Sequence, residues 1–134
     1  MKRMMIGILA GMVFLSTAYA GGIPEELKNA AVVYPGAKLV NIETADLGGG
    51  RNFYEIDLDI QGVSYQNVLS FYRQEAGRRG WRVFEDVDRG YSFMLMCHDG
   101  QYKIDISALA KENAVPVRLT IEKQYSANQR PSGN

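Results

Sequence analysis

The stretch NFYEIDLDI, residues 52–60, constrains the fold of this chain more than any other feature. Apolar side chains at every second position from Tyr54 onward alternate with the acidic residues Glu55, Asp57 and Asp59. Successive side chains of a β-strand point to opposite faces, so this alternation predicts a strand with one buried face and one solvated face. A sheet built on such strands needs a second layer on one side only. The pattern therefore predicts a sheet with one open face.

The hydrophobic period changes after residue 62. Over residues 63–81, VSYQNVLSFYRQEAGRRGW, apolar side chains recur at spacings of three and four, which predicts an amphipathic helix. Ser64 suits the N-cap of this helix, and Gly77 or Gly80 suits its end. The predicted apolar stripe consists of Tyr65, Val68, Leu69, Tyr72 and Ala76. A second, shorter helix is predicted to begin at Pro24.

Further strands are predicted on both sides of the long helix. Together with 52–60, they cover residues 37–44, 81–86, 91–98, 101–108 and 115–123. Tyr34-Pro35-Gly36 predicts a turn before the first strand, because Pro fixes φ and Gly tolerates positive φ. The chain is thus expected to form an α+β domain, with a single antiparallel sheet of about five to six strands and one main helix packed on one face.

The only cysteine and the only histidine of the chain are adjacent, at Cys97 and His98. Asp-Gly at residues 99–100 predicts a two-residue hairpin turn, in which Cys97 would face Tyr102 and His98 would face Gln101. Cys97 then belongs to the dry face and His98 to the wet face. A thiol nucleophile needs its base within hydrogen-bonding distance, so the sequence favours a buried, unreactive cysteine.

The wet face of the same strand carries Met94, Met96 and His98 at alternate positions. Thioether and imidazole groups are ligands that suit Cu(I), so an open copper site is one hypothesis for this face. The favoured alternative is that the methionines cover part of the sheet or contact a partner, because three ligands along one strand span about 13 Å.

Two charged sets are further candidates. The acidic row Glu55, Asp57 and Asp59 could bind Ca²⁺ or act in acid–base catalysis, but it lacks the spaced loop ligands of a calcium site, which favours a solvated strand face. Five arginines near the helix end could hold an anionic glycan or lipid headgroup, although nearby acidic residues favour ordinary surface charge. They are Arg73, Arg78, Arg79, Arg82 and Arg89. Trp81 is expected to pack where the helix returns to the sheet.

The first twenty residues, MKRMMIGILAGMVFLSTAYA, have the pattern of a secretory signal peptide. Lys2 and Arg3 precede an apolar run, and Ala18-Tyr19-Ala20 matches the small-x-small cleavage pattern. The run is shorter than the roughly 20 residues of a membrane span. We expect a cleaved signal over 1–20, one domain over 21–125 and a disordered tail over 126–134, with an uncleaved anchor as the alternative.

The expected location is the bacterial periplasm, with full secretion as the alternative. The whole chain has 15 basic and 15 acidic residues. Loss of Lys2 and Arg3 with the signal would leave a slight acidic excess, which gives no general attraction to nucleic acid or to anionic membranes. No stable membrane span is expected after cleavage.

The segments YPGAKLV (34–40) and VLSFYRQEAGRRGW (68–81), with the acidic strand between them, resemble a small uncharacterised α+β domain of exported bacterial proteins and lipoproteins. In that family a Tyr-Pro-Gly-Ala start precedes a Val-x-x-Phe-Tyr helix that ends in Gly-Trp. The resemblance covers about residues 33–123. This chain has no cysteine at the predicted cleavage point, which argues against a lipid tether. The resemblance implies structural motifs and no catalytic residues.

The expected function is a non-enzymatic binding or accessory protein of the cell envelope, with no cofactor. Its partner would be an envelope protein or glycan on the open sheet face. The first alternative is periplasmic Cu(I) binding through Met94, Met96 and His98. The second is a hydrolase or transferase that uses the acidic row.

Overall fold

The computed structural model describes residues 22–48 and 51–123 and the backbone of Phe14–Leu15. The strands are β1 (Phe14–Leu15), β2 (Lys38–Gly48), β3 (Arg51–Gln61), β4 (Arg82–Asp88), β5 (Ser92–His98), β6 (Tyr102–Leu109) and β7 (Ala114–Lys123), and the helix α1 spans Tyr65–Arg78. A 3-10 turn at Glu25–Leu27 takes the place of the predicted short helix. The predicted tail, and the predicted signal apart from β1, lie outside the described residues.

The strands form one antiparallel sheet in the order β1-β2-β3-β7-β6-β5-β4. The last strand of the chain, β7, therefore lies near the middle of the sheet, between β3 and β6. Six of the strands have seven or more residues, whereas β1 adds only two residues to the outer edge of β2. One antiparallel sheet and one α-helix within the described residues confirm the predicted α+β class.

The helix begins and ends where local chemistry favours it. The Ser64 hydroxyl accepts a hydrogen bond from the backbone N–H of Asn67 at 3.1 Å, which satisfies one free donor of the first turn. At the other end Gly80 has a φ of +74°, and the Trp81 N–H donates to the Ala76 carbonyl at 2.9 Å. A glycine in the left-handed region after the last turn is a common helix C-terminus, so Gly80 is the residue that ends α1.

The core is continuous between the helix and the sheet. The five predicted stripe residues of α1 are buried in one hydrophobic cluster with strand side chains. The strand members include Tyr54, Ile56, Leu58, Phe93, Leu95, Ile104, Ile106, Val117, Leu119 and Ile121, all predicted from the alternation. Leu27 and residues 30–32 complete the cluster, and the Tyr72 hydroxyl donates to the Val32 carbonyl at 2.9 Å.

The predicted hairpin register between β5 and β6 is wrong by two residues. Cys97 pairs with Ile104 and His98 with Lys103. The Asp99 carboxylate accepts the backbone N–H groups of residues 101 and 102, so the two-residue turn lies at 100–101 instead of 99–100. A shift of two residues preserves the alternation, and Cys97 and His98 therefore still point to opposite faces.

The edge strand β4 is joined to the helix by two polar links. The Arg73 guanidinium donates to both oxygens of Asp86, at 2.9 and 3.1 Å, and the Tyr65 hydroxyl donates to Asp88. A bulge between Val83 and Glu85 interrupts the pairing of β4 with β5. Bulges and acidic side chains both discourage another strand from pairing with a free edge. The β4 edge is therefore less available to a partner than a face of the sheet is.

In the part of the chain that the structure describes, no helix has the length and apolar character needed to cross a membrane.

Candidate functional site

The buried stripe of α1 and the inward side chains of the strands belong to one hydrophobic cluster, and the alternate strand residues point to the other face of the sheet. We call this second surface the open face. It carries the alternate strand residues that face away from the core, such as Asp57 on β3, Arg118 on β7 and Asp105 on β6. Most of these side chains are half-buried against their neighbours, and several are fully exposed. The open face is therefore a candidate binding surface of the described residues.

The structure places Cys97 and His98 on opposite sides of this sheet. Cys97 has no solvent exposure, and its position next to Ile104 belongs to the core. Burial raises the pKa of its thiol to about 11, with smaller contributions from the negative charges of Asp105 and Asp86. The thiol therefore stays protonated at neutral pH, and the thiolate needed for nucleophilic attack is scarce.

His98 lies on the open face, but its surroundings do not favour a metal ion. In the strand register it stands between Arg82 and Lys103, two permanently positive neighbours. Its Nδ1 accepts a hydrogen bond from the Gly100 N–H at 2.9 Å. A metal ion that bound at Nδ1 would have to displace this hydrogen bond.

The two methionines of the copper hypothesis are also spread along β5. Met94 is opposite Ser107 and Met96 is opposite Asp105, so neither is brought towards His98 by a bend. Among the described residues no group of three or more His, Cys, Asp or Glu side chains could hold a metal ion. Cu(I) binding by Met94, Met96 and His98 stays a prediction, and the geometry around His98 argues against it.

The acidic row on β3 is partly neutralised by one arginine of β7. Arg118 Nε donates to Asp57 at 2.8 Å, and its Nη2 lies 3.2 Å from Glu55 Oε2. Partial burial still raises the pKa of Glu55 above its usual range, Arg118 opposes this, and the charges of Asp57 and Glu43 add to it. Carboxylates therefore outnumber cations here, and this half of the open face keeps a negative potential.

A groove of about 650 Å³ lies at one end of the open face, beside the acidic row. Its apolar side chains on this face come from three strands: Val40 and Leu109 are exposed, and Pro116 is half-buried. Asp57, Asp59, Ser107 and Arg118 provide its polar groups. The groove therefore offers an apolar rim with charged and hydroxyl groups beside it, a combination found in binding sites for amphipathic ligands.

Met94 extends the apolar rim across the sheet. Val40 is 60% exposed, Leu109 44% and Met94 41%, which is unusual for large apolar side chains on a sheet. Met94 pairs with Ser107, two residues before Leu109 on β6, so the two side chains are diagonal neighbours. We call Val40, Pro116, Leu109 and Met94 the apolar band.

Sequence reasoning identified Met94 but missed the rest of the apolar band. Val40 reaches the open face because of a bulge between Leu39 and Asn41, whereas strict alternation would turn it towards the core with Ile42. No residue in the sequence marks this bulge. Leu109 is one position beyond the predicted end of its strand, and extending the alternation from Ser107 would have placed it correctly.

The five arginines do not form one site. Arg73 is paired with Asp86, and Arg78 and Arg79 are both paired with Glu75, at 2.7 and 3.0 Å. Arg82 lies on the open face opposite His98. The structure therefore does not gather these residues into an anion-binding cluster. Trp81 is half-buried against the core, as predicted, and it also lines a second cleft on the helix side of the sheet.

Comparisons with protein-family models, curated proteins and solved structures find no match to this chain.

Proposed function

We propose that this protein is a non-enzymatic binding module of the bacterial cell envelope, and that it holds a protein segment with basic and apolar side chains against its open face. The observation that carries the proposal is the apolar band beside an acidic row on the open face. The signal-like first twenty residues and the resemblance to exported bacterial domains support a periplasmic location.

The apolar band supports a partner that buries hydrophobic area. Apolar side chains that lie together on an exposed sheet face gain free energy when a partner removes them from water, at about 25 cal/mol per Å². Single exposed apolar residues need no explanation, but Pro116, Leu109 and Met94 lie on the adjacent strands β7, β6 and β5, and such a group indicates an interaction site. Val40 lies across β3 from them. The band and the groove beside it are long enough to hold several side chains of an extended segment.

The charge of the same region determines which net charge a partner should carry. The side of the open face formed by β2, β3 and β7 carries five acidic and three basic side chains. They are Glu43, Glu55, Asp57, Asp59 and Glu122 against Lys38, Arg51 and Arg118. Arg118 is already shared by Glu55 and Asp57, so a partner's lysine or arginine would find unpaired carboxylate oxygens. Complementary charge of this kind speeds association and disfavours acidic partners.

The groove favours a protein segment over a glycan. Sugar rings bind by stacking on aromatic side chains, and the groove lining contains none. The groove is also an unpromising catalytic centre, because Asp57 is held by Arg118 and Asp59 accepts a hydrogen bond from Gln61 at 2.8 Å. The hydrolase and the copper hypotheses have no specific observation that favours them.

The proposal is tested with two synthetic peptides that differ only in charge. One alternates lysine with leucine and serine, and the other has glutamate in place of every lysine. In a titration of the ¹⁵N-labelled protein followed by NMR, the lysine peptide is expected to shift backbone amides near Asp57, Ser107 and Leu109. The shifts should weaken as salt is added, because exposed charges are screened over about 10 Å at 0.1 M.

A matched pair of variants locates the binding. The double variant Val40→Ser/Leu109→Ser removes two members of the apolar band. It should lower the affinity for the lysine peptide several-fold. Val33→Ser changes an apolar side chain of similar exposure that does not line the groove, and it should leave binding unchanged. Equal shifts with both peptides, or shifts confined to the helix side, would contradict the proposal.

A further inference from the structure

A second cleft, of about 440 Å³, lies on the opposite side of the sheet from the groove and at the other end of β6. The groove reaches Leu109 and this cleft reaches Tyr102, so the two are about 23 Å apart along the strand. Three chain segments form it: the turn after Pro24, the end of α1 and the β5–β6 hairpin. We call it the tryptophan cleft, because Trp81 forms one of its walls.

The polar groups of the tryptophan cleft include both charges, and they include hydrogen-bond donors as well as acceptors. Glu26 and Asp99 supply carboxylate acceptors, and Asn29 and Gln101 supply exposed amide groups. Glu26 Oε2 already accepts from the Tyr54 hydroxyl and Asp99 Oδ1 accepts two backbone N–H groups of its turn, so a ligand would use the second oxygen of each carboxylate. Glu26, Asp99 and Tyr102 line the same cleft, where burial raises the pKa of the Tyr102 hydroxyl and the negative charges of the two carboxylates add to this effect. The cleft therefore offers acceptors and donors around a partly apolar wall.

Arg79 is fixed as part of this wall. Its Nε donates to Glu75 at 3.0 Å, its Nη1 donates to the Asn29 carbonyl at 3.2 Å, and its guanidinium carbon lies 6.0 Å from the centre of the Trp81 ring. Glu75 compensates the positive charge, and the remaining nitrogen, Nη2, can still donate to a ligand oxygen. A side chain held by two hydrogen bonds loses little further freedom when a ligand binds.

This set of groups disfavours an anion and a metal ion. Glu26 and Asp99 repel an anion, and the compensated Arg79 offers it little in return. A metal cation would need three converging ligands, and no such group occurs among the described His, Cys, Asp and Glu residues. A neutral ligand with many hydroxyl groups can instead donate to the carboxylates, accept from the amides and stack its C–H groups on an indole ring.

From this chemistry we propose that the tryptophan cleft binds a neutral saccharide. The cleft volume lies within the range of small-molecule sites, about 300–1,000 Å³. Trp81 supplies the stacking surface, Glu26 and Asp99 accept from sugar hydroxyls, and Gln101 and Arg79 donate to sugar oxygens. This site is independent of the open face, so the protein would hold a protein segment and a glycan at the same time.

Trp81 is the only tryptophan of the chain, so its intrinsic fluorescence reports on this cleft alone. The full chain is titrated with triacetylchitotriose and, separately, with maltotriose, both of which are uncharged. At least one sugar is expected to give a saturable change in tryptophan emission, with a dissociation constant of about 1 mM. No saturable change up to about 10 mM of either sugar overturns the proposal.

Two variants and two charged probes make the result specific. Gln101→Ala removes an exposed side chain and should lower the sugar affinity at least fivefold with an unchanged thermal midpoint. Leu109→Ser, in the groove, should leave the sugar affinity unchanged and lower only the affinity for the lysine peptide. An unchanged affinity in Gln101→Ala together with a loss in Leu109→Ser overturns the assignment to this cleft. A response to inorganic phosphate or tetramethylammonium without a response to either sugar also overturns it.

Discussion

The two faces of the sheet are built from alternate residues of the same strands, yet they differ in how strongly their contacts constrain each side chain. On the helix side, the inward residues of five strands and α1 form one cluster with no buried charged group, and no described buried polar side-chain atom lacks a partner. On the open face, ion pairs such as Arg118 with Asp57 are local and half-exposed. Packing therefore specifies the fold from one side and leaves the other side free for binding.

Cys97 and His98 show the difference between the two faces at two successive residues. The cysteine is enclosed by the core, and its reactivity is suppressed by burial. The histidine is half-buried between Arg82 and Lys103, and its Nδ1 accepts a hydrogen bond from the Gly100 N–H of its own turn. Adjacent residues with reactive side chains thus form no site, because the pleat of the strand separates them.

The largest expected difference between the faces is in packing energy. Leu58→Ala leaves a cavity in the core, where Leu58 is 2% exposed, and should lower the free energy of unfolding by about 2–5 kcal/mol. Met94→Ala, on the open face, should change it by no more than about 0.5 kcal/mol. Urea unfolding of both variants measures the two values. A wild-type midpoint for Leu58→Ala would remove Leu58 from the core.

The sequence predicted the helix side well because burial leaves a regular signature. The alternation around Ile56 and the three-and-four spacing from Tyr65 to Ala76 both identified core residues, since a one-residue shift would place charges in the core. Even the wrong hairpin register did not matter for Cys97 or His98, because an error of two residues preserves the face of each side chain.

The open face was less predictable for the same physical reason. Its residues are only partly buried, so apolar and polar side chains are mixed on it, and Val40 reaches it only through a bulge in β2. The tryptophan cleft was missed because its three segments are distant in sequence and meet only in the folded chain. Trp81 was the one residue in the sequence that could have indicated this cleft, but the sequence favoured packing against the sheet as its role.

A smaller expected difference separates substitutions at the two adjacent residues. Cys97→Ser places a hydroxyl in an apolar site with no solvent exposure, and an unsatisfied buried polar group costs about 1–3 kcal/mol. His98→Ser should cost less than about 1 kcal/mol, because it removes one exposed hydrogen bond in a turn.

Thermal or urea unfolding compares these two serine variants, and thiol labelling provides a second measurement. A thiol reagent should modify wild-type Cys97 only as fast as the protein unfolds. Rapid labelling of the native protein, or equal stability of the two variants, would place Cys97 outside the core.

The smallest expected difference is in pH dependence, and its sign is opposite on the two faces. Folding raises the pKa of Glu55 on the open face, so ionisation costs stability as the pH rises above its ordinary pKa of 4.5. Folding lowers the pKa of Asp88 on the helix side, mainly through the hydrogen bond from Tyr65, so stability is lost as the pH falls towards and below 3.8.

Two amide variants separate these effects in unfolding experiments between pH 3 and pH 7. Glu55→Gln should gain stability relative to wild type as the pH rises from about 4 to 7, by less than about 1 kcal/mol because the site is partly solvated. Asp88→Asn should be less stable than wild type at pH 7, and the gap should close in acid as wild-type Asp88 takes up its proton. Parallel pH profiles for the two variants would mean that the open face holds its carboxylates as favourably as the helix side does, and the acidic row would then have no excess charge to offer a basic partner.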